Sequence, residues 1–185
     1  MATAEVVLAV LRRGPAHGYD VKRDHDSWFP DSRELAYGQA YATLSRLARD
    51  GLVEVVETRV DGGPERTVYA LTEGGSRRLR EWLTEPSPAG TSGADEIVRK
   101  AVAALRNGDD PAGYIAVQRA AHLRRMRELT DADAVADPLA RLARDHLVAH
   151  LDADLRWLEL AVERVAAGTT LQTHPRQAST QEAAR

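Results

Sequence analysis

Residues 40–53 read Ala-Tyr-Ala-Thr-Leu-Ser-Arg-Leu-Ala-Arg-Asp-Gly-Leu-Val. Apolar residues recur in this stretch at spacings of three and four, which is typical of a helix with one buried face. Gly51 stands where such a helix ends in a left-handed turn. The pattern therefore predicts a helix from about Tyr37 to Asp50.

Two shorter helices are predicted before this one. The first carries the apolar stretch Val6–Leu11 and ends at Gly14-Pro15, a dipeptide that stops a helix. The second runs from about Gly18 to Ser27, and Pro30 breaks the chain after it. Three helices thus follow one another within 50 residues.

The hydrophobic period changes after the third helix. Residues 52–59 and 66–71 are rich in β-branched residues that alternate with charged ones, which predicts two strands. Asp61-Gly62 lies between them and favours a tight hairpin turn. Thr72 then opens a fourth helix. Three helices, a hairpin and a helix form the layout of a winged helix-turn-helix.

The predicted fold class is therefore mainly α with a small two-stranded β wing. Residues 1–85 form the winged helix-turn-helix, and residues 86–94 have the proline, glycine and serine content of a linker. Residues 95–167 are predicted to form a separate helical domain. Residues 168–185 hold almost no large apolar side chain and are predicted to be a disordered tail.

Composition excludes several classes of protein. The chain has 185 residues, of which 43% are hydrophobic, and no cysteine, so disulfides, thiolate catalysis and Cys-ligated zinc are ruled out. No apolar run approaches the ~20 residues that span a bilayer, and the first residues lack the basic start of a secretory leader. We therefore expect a cytoplasmic protein. The net charge of −3 argues against a coat-like nucleic-acid binder but permits a local DNA-reading surface.

Several polar side chains of the predicted winged helix have the chemistry of DNA contact. Glutamine can pair with adenine and arginine with guanine in the major groove. The predicted contacts from the helices are Lys22, Gln39, Tyr41, Thr43 and Arg46. The predicted contacts from the wing are Arg59, Gly62, Gly63 and Arg66.

Some of these assignments have alternatives. The Tyr41 side chain can touch phosphate or pack in the core, because it shares a face with Leu44. Lys22 can meet phosphate or simply stay solvated. Arg59 and Arg66 can instead pair with wing glutamates across the strands.

Three motifs resemble those of the PadR family of bacterial transcriptional regulators. They are His17-Gly18-Tyr19, the stretch from Tyr41 to Val53 with its Y-x-x-L-x-x-L-x-x-x-G-L-V spacing, and Pro64–Gly75 followed by Trp82-Leu83. The one departure is alanine directly before Tyr41, where the family usually has leucine or isoleucine. The resemblance implies a homodimeric DNA-binding repressor with a C-terminal helical dimerisation region. Many such regulators respond to small, often aromatic or phenolic ligands.

The last predicted helix begins at Pro138 and carries a heptad-like apolar seam. We expect this seam to form the dimer interface, through Leu147, Leu151, Leu155, Leu158 and Val162. Tyr114 and Trp157 are the only aromatic residues after residue 85. Each can either pack in the core or form a wall of an effector site.

No enzymatic function is predicted. The sequence contains neither a Gly-x-Ser-x-Gly elbow nor a GxxxxGK phosphate loop, and no cofactor is implied. His146, His150 and Asp154 are spaced to share one helical face, but no second ligand cluster accompanies them and we expect no metal.

One observation favours a different function. The first 85 residues hold twelve Lys and Arg against fourteen Asp and Glu, whereas DNA-binding domains are commonly basic. A winged helix that binds a protein partner therefore stays open as the alternative.

Overall fold

The computed structural model describes residues 3–30, 32–59, 66–90, 94–131 and 138–166. The helices are α1 (Thr3–Leu11), α2 (Gly18–Trp28), α3 (Tyr37–Arg49), α4 (Glu73–Thr84), α5 (Ala94–Arg106), α6 (Ala112–Asp131) and α7 (Pro138–Ala166). The strands are β1 (Ala16–His17), β2 (Val53–Arg59) and β3 (Arg66–Leu71). The predicted fold class, mainly α with a small β wing, is confirmed.

The sheet has one strand more than predicted. Its order is β1-β3-β2 with antiparallel pairing throughout, so β3 lies in the centre. Ala16 pairs with Tyr69 on one side of β3, and Arg59 pairs with Arg66 at the start of the hairpin on the other. The two-residue β1 is too short to show the alternation from which strands are predicted.

The described residues divide into two compact units. The head comprises residues 7–76. The helical unit comprises residues 77–90, 94–131 and 138–166, together with residues 3–6. The division falls within α4 rather than after it, and the domain boundary at residue 85 stays a prediction.

The core of the head is built on the apolar face of α3 and the residues around it. Its buried hydrophobic residues are Val7, Leu8, Ala9, Val10, Leu11, Ala16, Val21, Trp28, Phe29, Leu35, Ala40, Leu44, Leu47, Val53 and Tyr69. Thr72 caps α4 in the predicted position, since its Oγ1 accepts a hydrogen bond from the Gly75 N–H at 3.0 Å. The same hydroxyl donates to the Gly51 carbonyl oxygen at 2.8 Å. This capping threonine thereby ties the end of α3 to the start of α4.

The helical unit has a core of its own. Ile97, Tyr114, Ile115 and Leu158 form a buried cluster, against which Trp157 packs. Leu158 is completely buried within the single chain, and Leu151 is nearly so. Leu158 is thus covered by residues of α5 and α6, and neither Leu151 nor Leu158 leaves surface in the single chain for the predicted contact with a second copy.

The other seam positions differ from these two. Leu147 and Leu155 are half-buried and Val162 is exposed, so they remain available in part. The wing tip with Gly62 and Gly63 and the predicted tail, residues 168–185, lie outside the described residues.

Among the helices that the structure describes, none is long and apolar enough to cross a membrane.

Candidate functional site

The outer face of α3 is the most open polar surface of the head's longest helix. Four residues of α3 are buried, Ala40, Thr43, Leu44 and Leu47. Successive residues of a helix are rotated by about 100°. The side of α3 that faces directly away from these four buried residues is therefore formed by Gly38, Ala42, Ser45 and Arg49. The exposed Gln39, Tyr41 and Arg46 flank that side. We call these seven residues the outer face.

Thr43 does not belong to the outer face, and its prediction as a DNA contact is wrong. Only 6% of the residue is exposed, because it lies three positions after Ala40 and four before Leu47, within the buried stripe. Ala42 and Ser45 take its place on the exposed side. The exposure of Ala42 and Ser45 follows from their angular positions on the helix. The polar side chain of Thr43 suggested exposure, whereas its angular position predicts burial.

Tyr41 packs against α2 while part of it stays exposed, and its phosphate contact stays a prediction. The residue is 45% exposed, yet its ring lies directly on the start of α2. A Cβ atom added at Gly18 would come within 2.5 Å of the Tyr41 Cε1 atom. A larger residue at Gly18 of the His17-Gly18-Tyr19 motif would therefore displace the Tyr41 ring.

Lys22 is engaged within the head. Its Nζ donates to Asp26 Oδ2 at 2.6 Å, lies 3.5 Å from Glu34 Oε2 and stands 5.0 Å from the centre of the Tyr37 ring. The hydrogen bond to Asp26 raises the pKa of Lys22. Because its charge is already paired, we remove Lys22 from the predicted DNA contacts.

Asp26 is the acceptor that organises this part of the head. Its Oδ1 accepts the Leu35 N–H at 2.9 Å and lies 3.0 Å from His25 Nδ1. Burial acts to raise the pKa of Asp26, but the hydrogen bonds from Leu35, Lys22 and His25 outweigh it and the pKa is lowered. The carboxylate thus fixes the segment that leads from α2 into α3.

The basic residues of the wing lie at the base of the hairpin. Arg59 ends β2, Arg66 begins β3, and the two backbones are paired. The side chains of both residues lie outside what the structure describes. Their contact with DNA or with wing glutamates stays a prediction.

A second polar constellation occupies the interior of the helical unit, where α4 leads into α5. Gln118 is completely buried, and its side-chain amide holds the backbone of Ser87. Gln118 Oε1 accepts the Ser87 N–H at 2.7 Å, and Gln118 Nε2 donates to the Ser87 carbonyl oxygen at 2.9 Å. The predicted linker is therefore anchored at this residue.

The anchor continues to α7 through a buried histidine. Gln118 Nε2 lies 3.1 Å from His122 Nδ1, and His122 Nε2 lies 3.2 Å from Asp154 Oδ2. His122 Nδ1 also lies 3.0 Å from the Gln118 carbonyl oxygen, so it faces both a donor and an acceptor, whereas the Nε2 N–H donates to the carboxylate. We call the chain Ser87, Gln118, His122 and Asp154 the clasp.

A buried lysine reinforces the clasp. Lys100 is only 2% exposed, and its Nζ donates to the Glu85 carbonyl oxygen at 2.5 Å. The same ammonium stands 5.6 Å from the ring centres of both Trp82 and Tyr114. Burial lowers the pKa of Lys100. These contacts hold the segment after α4 by two side chains, one from α5 and one from α6.

The two predicted effector residues lie in different surroundings. Tyr114 belongs to the surroundings of the clasp, where its hydroxyl lies 3.5 Å from Ser87 Oγ. Trp157 instead lines a cavity of about 310 Å³ between α5, α6 and α7. Of these two residues Trp157 lines the cavity, and an effector contact by either of them stays a prediction.

The histidines of α7 do not form a metal site with Asp154. The rings of His146 and His150 are 4.5 Å apart and edge to face, whereas Asp154 is directed to His122. Within the described residues, no group of three or more potential ligands is brought together.

Comparison with known proteins relates the head to a described protein family. Residues 7–81 match the model of the Transcriptional regulator PadR-like family. The Negative transcriptional regulator PadR of Bacillus subtilis is 27% identical over 95 residues, which are 51% of this chain and 52% of that protein. The Probable transcriptional regulator Rv1176c of Mycobacterium tuberculosis is 28% identical over 119 residues, 62% of this chain and 61% of that protein. The alignments thus span between half and two thirds of these relatives.

Solved structures of the Bacillus subtilis protein are similar to this chain over most of its length. Its complex with operator DNA is 19% identical, with a TM-score of 0.45 and coverage of 89% of this chain and 99% of that chain. Its complex with p-coumaric acid is 18% identical, with a TM-score of 0.41 and coverage of 90% and 99%. Both curated relatives are regulators by name, which agrees with the prediction that the chain is not an enzyme.

Proposed function

We propose that this chain, whose residues 7–81 match the PadR-like family model as its motifs predict, is a transcriptional regulator and a sequence-specific DNA-binding repressor. The outer face of α3 enters the major groove in this proposal. The observation that carries it is the exposure of Gln39, Arg46 and Arg49 on a helix whose opposite side is firmly buried.

The outer face suits a groove in shape as well as in chemistry. Gly38 and Ala42 are small, so the helix can approach the base edges closely, and Ser45 adds a hydroxyl between them. Arg46 and Arg49 can pair with guanine or with phosphate, and Gln39 with adenine. Tyr41 lies at the margin of the face, and we expect its hydroxyl to contact phosphate.

The wing completes the interface in this proposal. Arg59 and Arg66 are adjacent across the hairpin base, so two positive charges can meet the backbone beside the groove that α3 occupies. Since the head carries more acidic than basic residues, we expect weak non-specific binding and a strong dependence on the correct sequence.

A homodimer on a pseudo-palindromic operator follows from the same proposal, but with a revised interface. Leu151 and Leu158 are used within the chain, whereas Leu139 and Leu142 at the start of α7 are 76% and 69% exposed. Apolar residues so exposed along one helix are typical of an unfilled contact surface. We therefore assign the dimer contact to the exposed apolar positions of α7, which also include Leu160 and Val162.

A small apolar effector would release the repressor by favouring one arrangement of the two heads over another. The cavity beside Trp157 supports the existence of such a ligand. The aromatic or phenolic class that the family resemblance implies is a starting point for a screen.

The test is binding of the purified chain to a labelled duplex from upstream of its own gene, beside a scrambled duplex, at two salt concentrations. We expect preference for the upstream duplex, with a salt slope of about −0.9 per phosphate contact. Equal binding to both duplexes, or none to either, would contradict the repressor and favour a protein-binding winged helix. A reporter driven by the same fragment should be repressed by the chain, and light scattering should give the mass of a dimer.

A further inference from the structure

We propose that His146 and His150 of α7 bind a divalent cation that prefers imidazole ligands, such as Zn²⁺, together with the same two histidines of a second copy of the chain. The site then consists of four histidines at the dimer contact, so that zinc strengthens the dimer. The inference rests on the dimer that the proposed function assigns to the exposed side of α7. It adds a class of ligand that neither the repressor nor its small-molecule effector requires.

The two histidine rings have the spacing that a chelating pair requires. They lie four residues apart on α7, and their ring centres are 4.5 Å apart in an edge-to-face arrangement. A zinc–nitrogen bond of about 2.0–2.1 Å places the ion about 3.2 Å from the centre of each ring. Two rings that meet the ion at right angles or at the tetrahedral angle then have centres roughly 4.5–5.2 Å apart. The observed distance lies at the lower end of this range.

A second apolar seam on α7 carries these histidines into a contact between copies. Five residues follow one another along this seam at spacings of three and four, and all five are exposed in the single chain. They are Leu139, Leu142, His146, Ala149 and Ala153. Such heptad spacing is the one that packs a helix against another helix. The buried seam through Leu151 and Leu158 lies on a different side of α7 and is already covered, so the exposed seam is the one left for the second copy.

His146 is the middle residue of this exposed seam. In an antiparallel twofold contact the two seams overlap fully when their centres meet, and a residue at the centre then faces its own copy. In a parallel contact every seam residue faces its own copy. Both orientations therefore bring the two His146 rings together, with His150 one helical turn away in each chain. Ala149 and Ala153 are small, so the two helices can approach closely beside the histidines.

The chemistry of such a contact favours a metal ion. A histidine nitrogen that is removed from water among leucine and alanine side chains must find a new partner, and imidazole is a preferred ligand of zinc. Structural zinc sites have four protein ligands in a tetrahedral arrangement. Within the described residues a single chain brings no three potential ligands together, because Asp154 is directed to His122. The second copy supplies the two ligands that one chain lacks.

The experiment uses the untagged full chain, freed of metal with a chelator. Calorimetric titration with Zn²⁺ measures the stoichiometry, and we expect one ion for two chains. Light scattering at a series of protein concentrations measures dimerisation, and zinc should lower the dissociation constant of the dimer at least about tenfold. Co²⁺ serves as a spectroscopic substitute, because a four-coordinate site gives it a far stronger visible absorption than water ligands do.

Two variants remove one ligand each from both chains, and a third is the control. His146→Gln and His150→Gln should each abolish the effect of zinc on the dissociation constant and the strong absorption of cobalt. Their metal-free dimers should form as the wild-type dimer does, because the leucines of the seam are intact. His174→Gln, which removes a histidine outside the pair, should bind both metals as the wild-type chain does.

Three results would overturn the shared site. They are one ion for each chain without a change in mass, zinc binding that survives both substitutions, and equal loss of binding in His174→Gln. A metal-free dimer that binds the upstream duplex but takes up no zinc would remove this inference alone. A chain that dimerises more tightly with zinc through the two histidines, yet does not bind the duplex, would remove the proposed repressor and leave the zinc site standing.

Discussion

The outer face of α3 and the clasp use similar side chains for opposite purposes. Gln39 is exposed on α3 with small neighbours beside it, whereas Gln118 on α6 is completely buried and makes hydrogen bonds to Ser87 at 2.7 and 2.9 Å. A polar group in water can exchange its solvent for another partner, but a buried one is costly to disturb. The comparison teaches that burial and partners, rather than residue type, separate an interface from a structural contact.

The largest expected effect comes from making the same substitution in both places. Gln118→Leu leaves the Ser87 N–H and carbonyl oxygen without their side-chain partners, so we expect the free energy of unfolding to fall by about 2–4 kcal/mol. Gln39→Leu should change it by less than about 0.5 kcal/mol. Urea denaturation of the two variants and the wild-type chain measures both values.

The effects of the two variants on DNA binding should be in the opposite order to their effects on stability. Gln39→Leu should weaken binding to the upstream duplex, and the folded fraction of Gln118→Leu should bind it as the wild-type chain does. Equal loss of stability in both variants would break the comparison, because it would give Gln39 a buried role.

A smaller effect is expected where the outer face meets α2. Gly18→Ala places a Cβ atom 2.5 Å from the Tyr41 ring, so we expect a loss of about 1–3 kcal/mol in stability from overpacking. Gly38→Ala meets no atom within 4 Å and should be neutral or stabilising by up to about 1 kcal/mol. Thermal unfolding of the pair tests whether the motif glycine serves the packing of Tyr41. A Gly18→Ala variant as stable as the wild-type chain would contradict it.

The smallest expected effect is on the titration of Tyr114, which lies beside the clasp. Burial raises the pKa of Tyr114 to about 12, and the hydrogen bond with Ser87 opposes the shift. Since tyrosine in the unfolded chain has a pKa of about 10, the contribution of Tyr114 to stability is complete below that pH. It is lost as pH rises towards the folded value.

Absorbance of tyrosinate against pH follows this titration directly. Tyr114→Phe should remove a late ionisation near the onset of alkaline unfolding, and Tyr37→Phe, which alters an exposed ring, should not. A late ionisation that persists in Tyr114→Phe would show that the phenol is not shielded by the clasp.

Much of the head was predictable because its signals are local. The predicted bounds of the second and third helices differ by one residue from Gly18–Trp28 and Tyr37–Arg49, since caps, breakers and apolar spacing all lie within those segments. The two-residue β1 was missed because its pairing with β3 is set by residues some 50 positions away. Thr43 was misplaced by its chemistry, although its helical angle indicated burial.

The helical unit was harder to predict because its signals are long-range. The heptad-like seam of α7 correctly indicated a buried face. It did not indicate whether the same chain or a second copy covers that face, and residues of α5 and α6 in the same chain pack against Leu158. The hydrogen bonds from Gln118 and Lys100 to the segment after α4 join residues 31 and 15 positions apart. The composition of that segment suggested only a linker.

The account is tested most directly by the affinity of the upstream duplex for the wild-type chain, Arg46→Ala/Arg49→Ala and Arg127→Ala, with thermal unfolding of the same samples. Arg127 is exposed on α6 and serves as the control. We predict that the double variant binds at least about thirtyfold more weakly, since each lost base contact costs about 1–3 kcal/mol, with Tm unchanged and the control equal to the wild-type chain. Equal affinity of all three proteins for the duplex would contradict the claim that the outer face of α3 reads DNA.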